Sequence, residues 1–495
     1  MKIIKLALQE FAMPAPRRGS IEPSSGFSTS MQKGIELHQQ VQAERIAEIP
    51  DYQSEVSIFG SFDKEEYTFE VKGRMDGFIP GERPQIEEIK SSFNIFELGK
   101  KLKDKRFDHP YFIQLVSYGY FYWKEHGIKP ALNFHLVSSR RHESIDIDIY
   151  WEINEYEMWL SKRLAELVIE AKKAEKRFLR RSKLAVNMPF PFATPRMGQM
   201  ELIDFVEKGM SAGKKMMLQA PTGLGKTIGV LYPSLKESLA RGQRVVYLTP
   251  KNSQQGVAEE AIEKLQAKGC ATKSLTITAK SKMCMKAEPL CNPEYCEFAK
   301  DYYDKLITFD LKNELGKKKK LTSKVMKNLA QKYEVCPFEL QLEAVEEADT
   351  VICDYNYVFG HQSVLGKISA SGFSQNGMPN LVIDEAHNLP ARTMGNFSPV
   401  ISSAFLENLR GELEDLPKKF RREGIELLDM CLETIKDVTP DKIETKSLNL
   451  NFETFVAVNE ELKAYLSSYL DSDVEIKARD VVLRMVFYSA VECQA

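Results

Sequence analysis

Ala220-Pro-Thr-Gly-Leu-Gly-Lys-Thr227 follows the short apolar run Met216-Met-Leu-Gln219 and leads into the mostly apolar stretch Ile228 to Leu235. Strand, glycine-rich loop and helix, in that order, are the context a phosphate-binding loop requires. Gly223 and Gly225 let backbone N–H groups approach phosphate oxygens, Lys226 reaches the β and γ oxygens, Thr227 ligates Mg²⁺, and the helix N-terminus adds its partial positive charge. Pro221, Thr222 and Leu224 fill the loop, and Ala220 stands where such loops usually begin with glycine. Outward from it the pattern runs helix, strand Lys215 to Gln219, loop, helix, strand Arg244 to Thr249 and later strand Leu381 to Ile383. That rhythm predicts an α/β fold with a parallel sheet.

The partner of the loop is Leu381-Val-Ile-Asp384-Glu385-Ala386-His387, an apolar strand that delivers two carboxylates to its C-terminal end, where open α/β sheets bind ligands. Asp384 is expected to hold Mg²⁺ through its water shell and Glu385 to orient the water that attacks a γ-phosphate. His387 fits a coupling role between nucleotide state and neighbouring segments better than chemistry, with an exposed structural histidine as the alternative.

The chain has 495 residues, too many for one core, with 43% apolar and 28% charged residues and a net charge of −2. No stretch approaches eighteen consecutive apolar residues and no cleavable leader pattern opens the chain, so a soluble, cytoplasmic protein with no membrane partner is expected. The charge excludes a uniformly basic coat. Lys100 to Arg106, Lys172 to Lys183 and Lys317 to Lys320 remain as local phosphate-facing stretches, or as ordinary solvated faces.

Of the eight cysteines, none precedes Cys270, and Cys284, Cys291, Cys296, Cys336 and Cys353 follow closely. In a cytosolic enzyme such clustering points to metal or iron–sulfur ligation before disulfides. Cys353 lies in an apolar strand and reads as an ordinary core thiol.

With these pieces in place, the stretch from Arg196 onward resembles the XPD/DinG iron–sulfur branch of superfamily 2 DNA helicases. Pro195-Arg-Met-Gly-Gln199 resembles the adenine-reading element, with Gln199 as base contact, and Val246 to Gln254 resembles the DNA-contacting motif Ia. Cys336-Pro-Phe-Glu339 followed by Ala348 to Tyr357 is the most specific match. The resemblance implies ATP and Mg²⁺ as cofactors, DNA with a single-stranded region as partner, and 5′ to 3′ polarity. It further implies that Cys284, Cys291, Cys296 and Cys336 hold a 4Fe-4S cluster, with Cys270 in reserve. Zinc and unligated core thiols are the alternatives.

The N-terminal part resembles RecB-like nucleases of the PD-(D/E)XK superfamily. Its pieces come in order: His38 on a helix, Asp76 in Gly73-Arg-Met-Asp-Gly77, Glu88 and Lys90 in Glu-Ile-Lys, and Gln114 with Tyr118 on a closing helix. Period-two alternation puts Glu88 and Lys90 on one side of a strand, one to bind metal and the other to steer water. The resemblance makes His38, Asp76 and Glu88 ligands of Mg²⁺ or Mn²⁺.

The expected organisation is a nuclease-like α/β domain at 1–185, closed by a long amphipathic helix from about Ile153 to Lys183, and an extended linker at 186–195. RecA-like motor domain 1 follows in two parts, 196–269 and 342–395, around a cluster insertion at 270–341; a helical arch-like insertion at 396–478 precedes a return toward the motor at 479–495. The Ser-Gly-Thr motif and arginine-finger domain of the family pattern are not met before Ala495, so the sequence reads as the front part of a longer or truncated motor. Two rival functions stay open: a nuclease whose ATP-binding half only grips DNA, and a non-catalytic iron–sulfur DNA-binding module.

Overall fold

The period-two apolar pattern of the N-terminal third becomes a six-stranded mixed sheet in the computed structural model. The structure describes residues 1–21, 31–92, 95–138, 143–286, 296–360, 379–396 and 402–439, with isolated positions elsewhere. The strands are β1 (Lys2–Ala7), β2 (Gln53–Lys64), β3 (Tyr67–Ile79), β4 (Gln85–Ser92), β5 (Ala131–Ser138) and β6 (Ser144–Ile149). They lie in the order β1-β3-β4-β5-β6, with β2 paired to β3. Helices α1 (Leu8–Phe11), α2 (Met31–Glu48), α3 (Ile95–Lys105), α4 (Pro110–His126) and α5 (Ile153–Val186) accompany this sheet. Pro110 opens α4, where its missing N–H costs nothing, and Gly127 closes it at φ 72. The buried face of α4 carries Phe112, Ile113, Leu115, Val116 and Phe121 into a core shared with Phe69, Phe134 and Trp159.

The second sheet is wholly parallel: β7 (Val245–Thr249), β8 (Ser274–Thr276), β9 (Lys320–Leu321), β10 (Thr350–Asp354) and β11 (Asn380–Ile383), in the order β11-β7-β10-β8-β9. Helices α6 (Gln199–Ser211), α7 (Lys226–Ala240) and α8 (Asn252–Ala267) belong to this part. The strand expected at Lys215 to Gln219 does not form. The segment is irregular, and Met217 is 92% exposed. An apolar run becomes a strand only beside a partner, and the described ladder ends at β11, which pairs with β7 alone.

Residues Met1–Asn388 form one compact unit and Leu389–Ala495 another. The second is helical at Leu389–Asn396, Ser403–Leu413 and Lys418–Val438, with Leu406, Leu409, Phe420 and Leu428 buried. Most of the expected return helix, Arg479 to Ala490, lies outside the described residues.

Helix α5 departs from its expected role. Its first half is bonded to the N-terminal core, with Arg163 Nε donating 3.0 Å to the Phe11 carbonyl. Its basic second half docks on the parallel sheet. Asp349, fully buried just before β10, accepts from Arg180 Nη1 at 2.9 Å, Arg181 Nε at 2.9 Å and the Lys273 backbone at 2.8 Å. Arg181 also donates to the Ala348 and Gly242 carbonyls, and Arg177 pairs with Glu347 at 3.1 Å. The arginines of the Lys172 to Lys183 stretch are therefore spent inside the protein rather than turned toward phosphates. The linker also differs from expectation: Met188 is buried in the core of the parallel-sheet part, and Phe190 meets Tyr232 edge-on at 5.3 Å.

Removing one member of a buried ion pair strands the other, at about 3–5 kcal/mol. Asp349→Ala is therefore expected to lower the urea midpoint of the purified protein substantially, whereas Lys2→Ala, which breaks an exposed pair with Glu175, should leave it nearly unchanged. Equal midpoints for the two variants would refute the structural role of this seam.

Candidate functional site

Three clusters of chemistry-bearing side chains stand out, and the first lies on the mixed sheet. Strands β3 and β4 bring Asp76 and Glu88 together, and the Asp76 carboxylate accepts the Ile89 backbone N–H at 2.9 Å. Glu88 is fully buried. Its Oε1 accepts from Gln114 at 2.6 Å and from Lys90, which makes the shorter contact. Gln114 also reaches the Tyr118 hydroxyl at 3.1 Å, and Tyr118 donates to the Arg74 carbonyl at 2.7 Å, so α4 locks the floor of the pocket. His38 on α2 stands with Nδ1 3.9 Å from Asp76.

The remaining oxygen of Glu88, Oε2, is buried with no hydrogen-bond donor among the described residues, while the Asp76 carboxylate is electrostatically close. Two buried carboxyls this close share a proton or hold a cation between them. Burial, helped by Asp76, pushes the Glu88 carboxyl up to about 8. Burial alone would lower Lys90, but Glu88 and Asp76 hold it charged and above its ordinary value. Burial lowers His38, favouring the neutral imidazole that a metal takes as ligand. The donor set of two carboxylates and one imidazole fits Mg²⁺ or Mn²⁺.

Sequence reasoning missed a neighbouring cluster. Glu87 points away from Glu88 and, with His135 and Asp146, surrounds Arg45 of α2: the guanidinium lies 3.0 Å from Glu87, 2.7 Å from Asp146 and 2.7 Å from His135 Nδ1. Arg45 already supplies the positive charge there, so the cluster reads as an anchor for α2, the helix that carries His38.

The second cluster is the phosphate loop. Gly223 and Gly225 have φ of 87° and 80°, left-handed values that a side chain would strain. Lys226 Nζ donates 3.1 Å to the Ala220 carbonyl, within the loop itself. The Tyr247 hydroxyl on β7 lies near both Thr227 and Asp384, so the loop and the end of β11 approach one phenol. Burial raises the Asp384 carboxyl, against the Tyr247 bond that lowers it. Glu385 adopts φ 50°, and the buried Tyr355 secures that turn by donating to the Asp384 and Glu385 carbonyls, the latter at 3.0 Å. His387 is largely exposed, 3.4 Å from Glu385. Gln199 is buried, its Nε2 donating to the Gly225 carbonyl at 3.3 Å and its Oε1 accepting from the Arg196 backbone N–H at 3.1 Å. Tyr247 and Tyr355 escaped sequence reading because a tyrosine in an apolar strand, or just after one, looks like core.

The third cluster is the thiols. Among the described cysteines none is in a disulfide. Cys291 and Cys336 sense one another electrostatically, as do Cys284 and Cys296. Burial raises the Cys336 thiol to about 11, while the Phe338 and Glu339 backbone N–H groups oppose that rise; Phe298 and Ala299 serve Cys296 in the same way. N–H groups near sulfur favour thiolate, the form in which cysteine ligates metal; the structure relates these thiols two by two. Cys270, the reserve ligand, is instead buried in the motor core with Asp349 and Arg180 as electrostatic neighbours. Cys353 is fully buried in β10.

Residues 197–293 match the DEAD/DEAH box helicase family model, and residues 258–406 match the DEAD_2 family model. Residues 197–406 are thus similar to DEAD/DEAH-box helicase domains. A solved XPD helicase aligns at 19% identity and a TM-score of 0.38, covering 61% of this chain and 51% of its own. The chain accordingly spans about half the length of that protein. A second solved structure, SSO0001, aligns at 14% identity and a TM-score of 0.23, covering 32% of this chain and 75% of its own. No helix among the described residues is long and apolar enough to cross a membrane.

Proposed function

We propose that the protein is an ATP-dependent DNA helicase, acting 5′ to 3′ on DNA with a single-stranded region, fused to a metal-dependent nuclease. Its expected setting is cytoplasmic DNA repair or processing. The observation that carries the motor reading is the meeting of Thr227, Asp384 and Tyr247. Thr227 and Asp384 would hold the Mg²⁺ of a bound nucleotide, and Glu385, next in the chain, would orient water. The nuclease reading rests on the donor-free Glu88 oxygen facing Asp76. His38, Asp76 and Glu88 would hold the metal, and a divalent cation there would supply Lewis-acid charge and an activated water. Lys90 stays protonated, orients that water and offsets charge on the scissile phosphate.

Cys284, Cys291, Cys296 and Cys336 would hold a 4Fe-4S cluster. The purified protein is expected to be brown, and a serine at any of the four should bleach it, whereas Cys353→Ser should not. Stoichiometric zinc without iron after anaerobic purification would replace this assignment.

A second reading, a nuclease whose ATP-binding half only grips DNA, is favoured by one observation: the run leading into the phosphate loop is not built into the sheet. DNA cutting with Mn²⁺ and no ATP, together with absent DNA-stimulated ATP turnover, would select it. Strand displacement that requires ATP selects the first.

A further inference from the structure

Residues 17–21 leave the N-terminal core and lie against the segment just after Cys296. The contacts are specific and mostly backbone. The Ile21 N–H donates to the Ala299 carbonyl at 2.9 Å, and the Tyr303 N–H to the Gly19 carbonyl at 3.0 Å. The Gly19 N–H donates to Asp304 at 2.7 Å, and the Asp301 N–H to the Ser20 hydroxyl at 2.9 Å. Arg18 pairs with Asp304 at 3.0 Å, Arg17 stacks 3.8 Å over the Tyr303 ring, and Ile21 is 7% exposed.

The gripped residues adjoin the thiols. Ala299, whose carbonyl receives the Ile21 N–H, donates its own N–H to the Cys296 carbonyl at 3.0 Å and lies beside the Cys296 thiol. Arg17 also faces Glu339, whose N–H serves the Cys336 sulfur. The strap therefore holds the turn after Cys296 by backbone hydrogen bonds and adds the charge of Arg17 near Glu339, from a part of the chain more than 250 residues away. The seven-residue helix Tyr302–Thr308 is also tied to this turn by Lys305, which donates to the Glu297 carbonyl at 3.0 Å and to the Glu334 carbonyl at 2.8 Å, so the strap adds to an existing anchorage.

We propose that residues 17–21 are a structural part of the metal centre: they hold the Cys296 turn closed and protect the cluster from oxidation and loss. The inference rests on the cluster reading above and extends it, because the centre is then shared between the nuclease-like part and the motor rather than being a self-contained insertion. Integrity of the N-terminal part becomes a condition for a durable cluster.

The test uses variants on the strap side, which lies outside the insertion's own sequence, so they can disturb the cluster only through the strap. Gly19 sits at φ 86° with open space around its missing Cβ. Gly19→Val would therefore act on the backbone rather than by collision, and would misplace both the Gly19 N–H and its carbonyl. Gly81, at φ 146° and equally open in the turn between β3 and β4, gives the matched control Gly81→Val. Full-length proteins purified anaerobically are exposed to air and EDTA, and iron release is followed by visible absorbance and iron content. Gly19→Val should lose iron roughly tenfold faster than wild type, about the effect of one charge-assisted hydrogen bond, while Gly81→Val tracks wild type. Arg17→Ala should show a smaller acceleration in the same direction. Iron-loaded wild type and Gly19→Val decaying at equal rates would overturn the inference alone. Wild type without iron would overturn the cluster reading and this inference with it.

Discussion

Glu385→Gln should lower DNA-stimulated ATP turnover by on the order of a hundredfold or more, the usual contribution of a positioned base, and leave nucleotide binding nearly intact. The substitution keeps the size of the side chain and the φ 50° turn secured by Tyr355, so its effect isolates the carboxylate. Lys226→Ala should reach the same end by another route, raising the apparent KM for ATP as phosphate contacts vanish. Fluorescent-nucleotide titration separates the two: Glu385→Gln binds and Lys226→Ala does not. A Glu385→Gln protein with wild-type turnover would move the water-orienting role elsewhere.

Asp76→Ala, Glu88→Ala and Lys90→Ala should each reduce Mn²⁺-dependent cutting of single-stranded DNA by roughly a thousandfold, since each removes several kcal/mol of metal binding or charge stabilisation. A pH signature accompanies this. Burial holds the Glu88 carboxyl protonated up to about 8 in the metal-free protein, and a ligand must lose its proton to bind. Mn²⁺ affinity should therefore climb as pH rises toward 8 and flatten above it. Glu88→Gln should remove that climb, and a pH-independent affinity in wild type would show that Glu88 is not a ligand. Cutting that survives all three alanine variants would relocate the site.

How much of this could be read from the sequence follows from how far apart the cooperating residues lie. The phosphate loop is legible because phosphate chemistry needs glycines, lysine and hydroxyl in consecutive positions. Asp384 and Glu385 are legible for the same reason. Glu88 and Lys90 follow from a period of two along one strand, and the structure brings His38, Asp76, Gln114 and Tyr118 to them. What escaped has no local period. Asp349 looks like any acid before a strand until Arg180 and Arg181 arrive from a distant helix. Residues 17–21 look like a loop until the Cys296 turn is placed beside them. The expected strand at Lys215 to Gln219 failed in the opposite direction: its composition suits a strand, but backbone pairing is decided by neighbours that composition does not reveal.

The long helix α5 bears on how this protein can be taken apart. At 34 residues it is about 50 Å long. A cut near residue 185, the boundary that the proline-rich segment invites, would send Arg177, Arg180 and Arg181 away with the N-terminal fragment and leave Asp349 sealed in the other without a counter-charge. Neither fragment would then inherit a complete surface. Dissection by limited proteolysis or recombinant expression should therefore yield poorly soluble pieces, and swapping either half between proteins would require carrying both sides of the seam together.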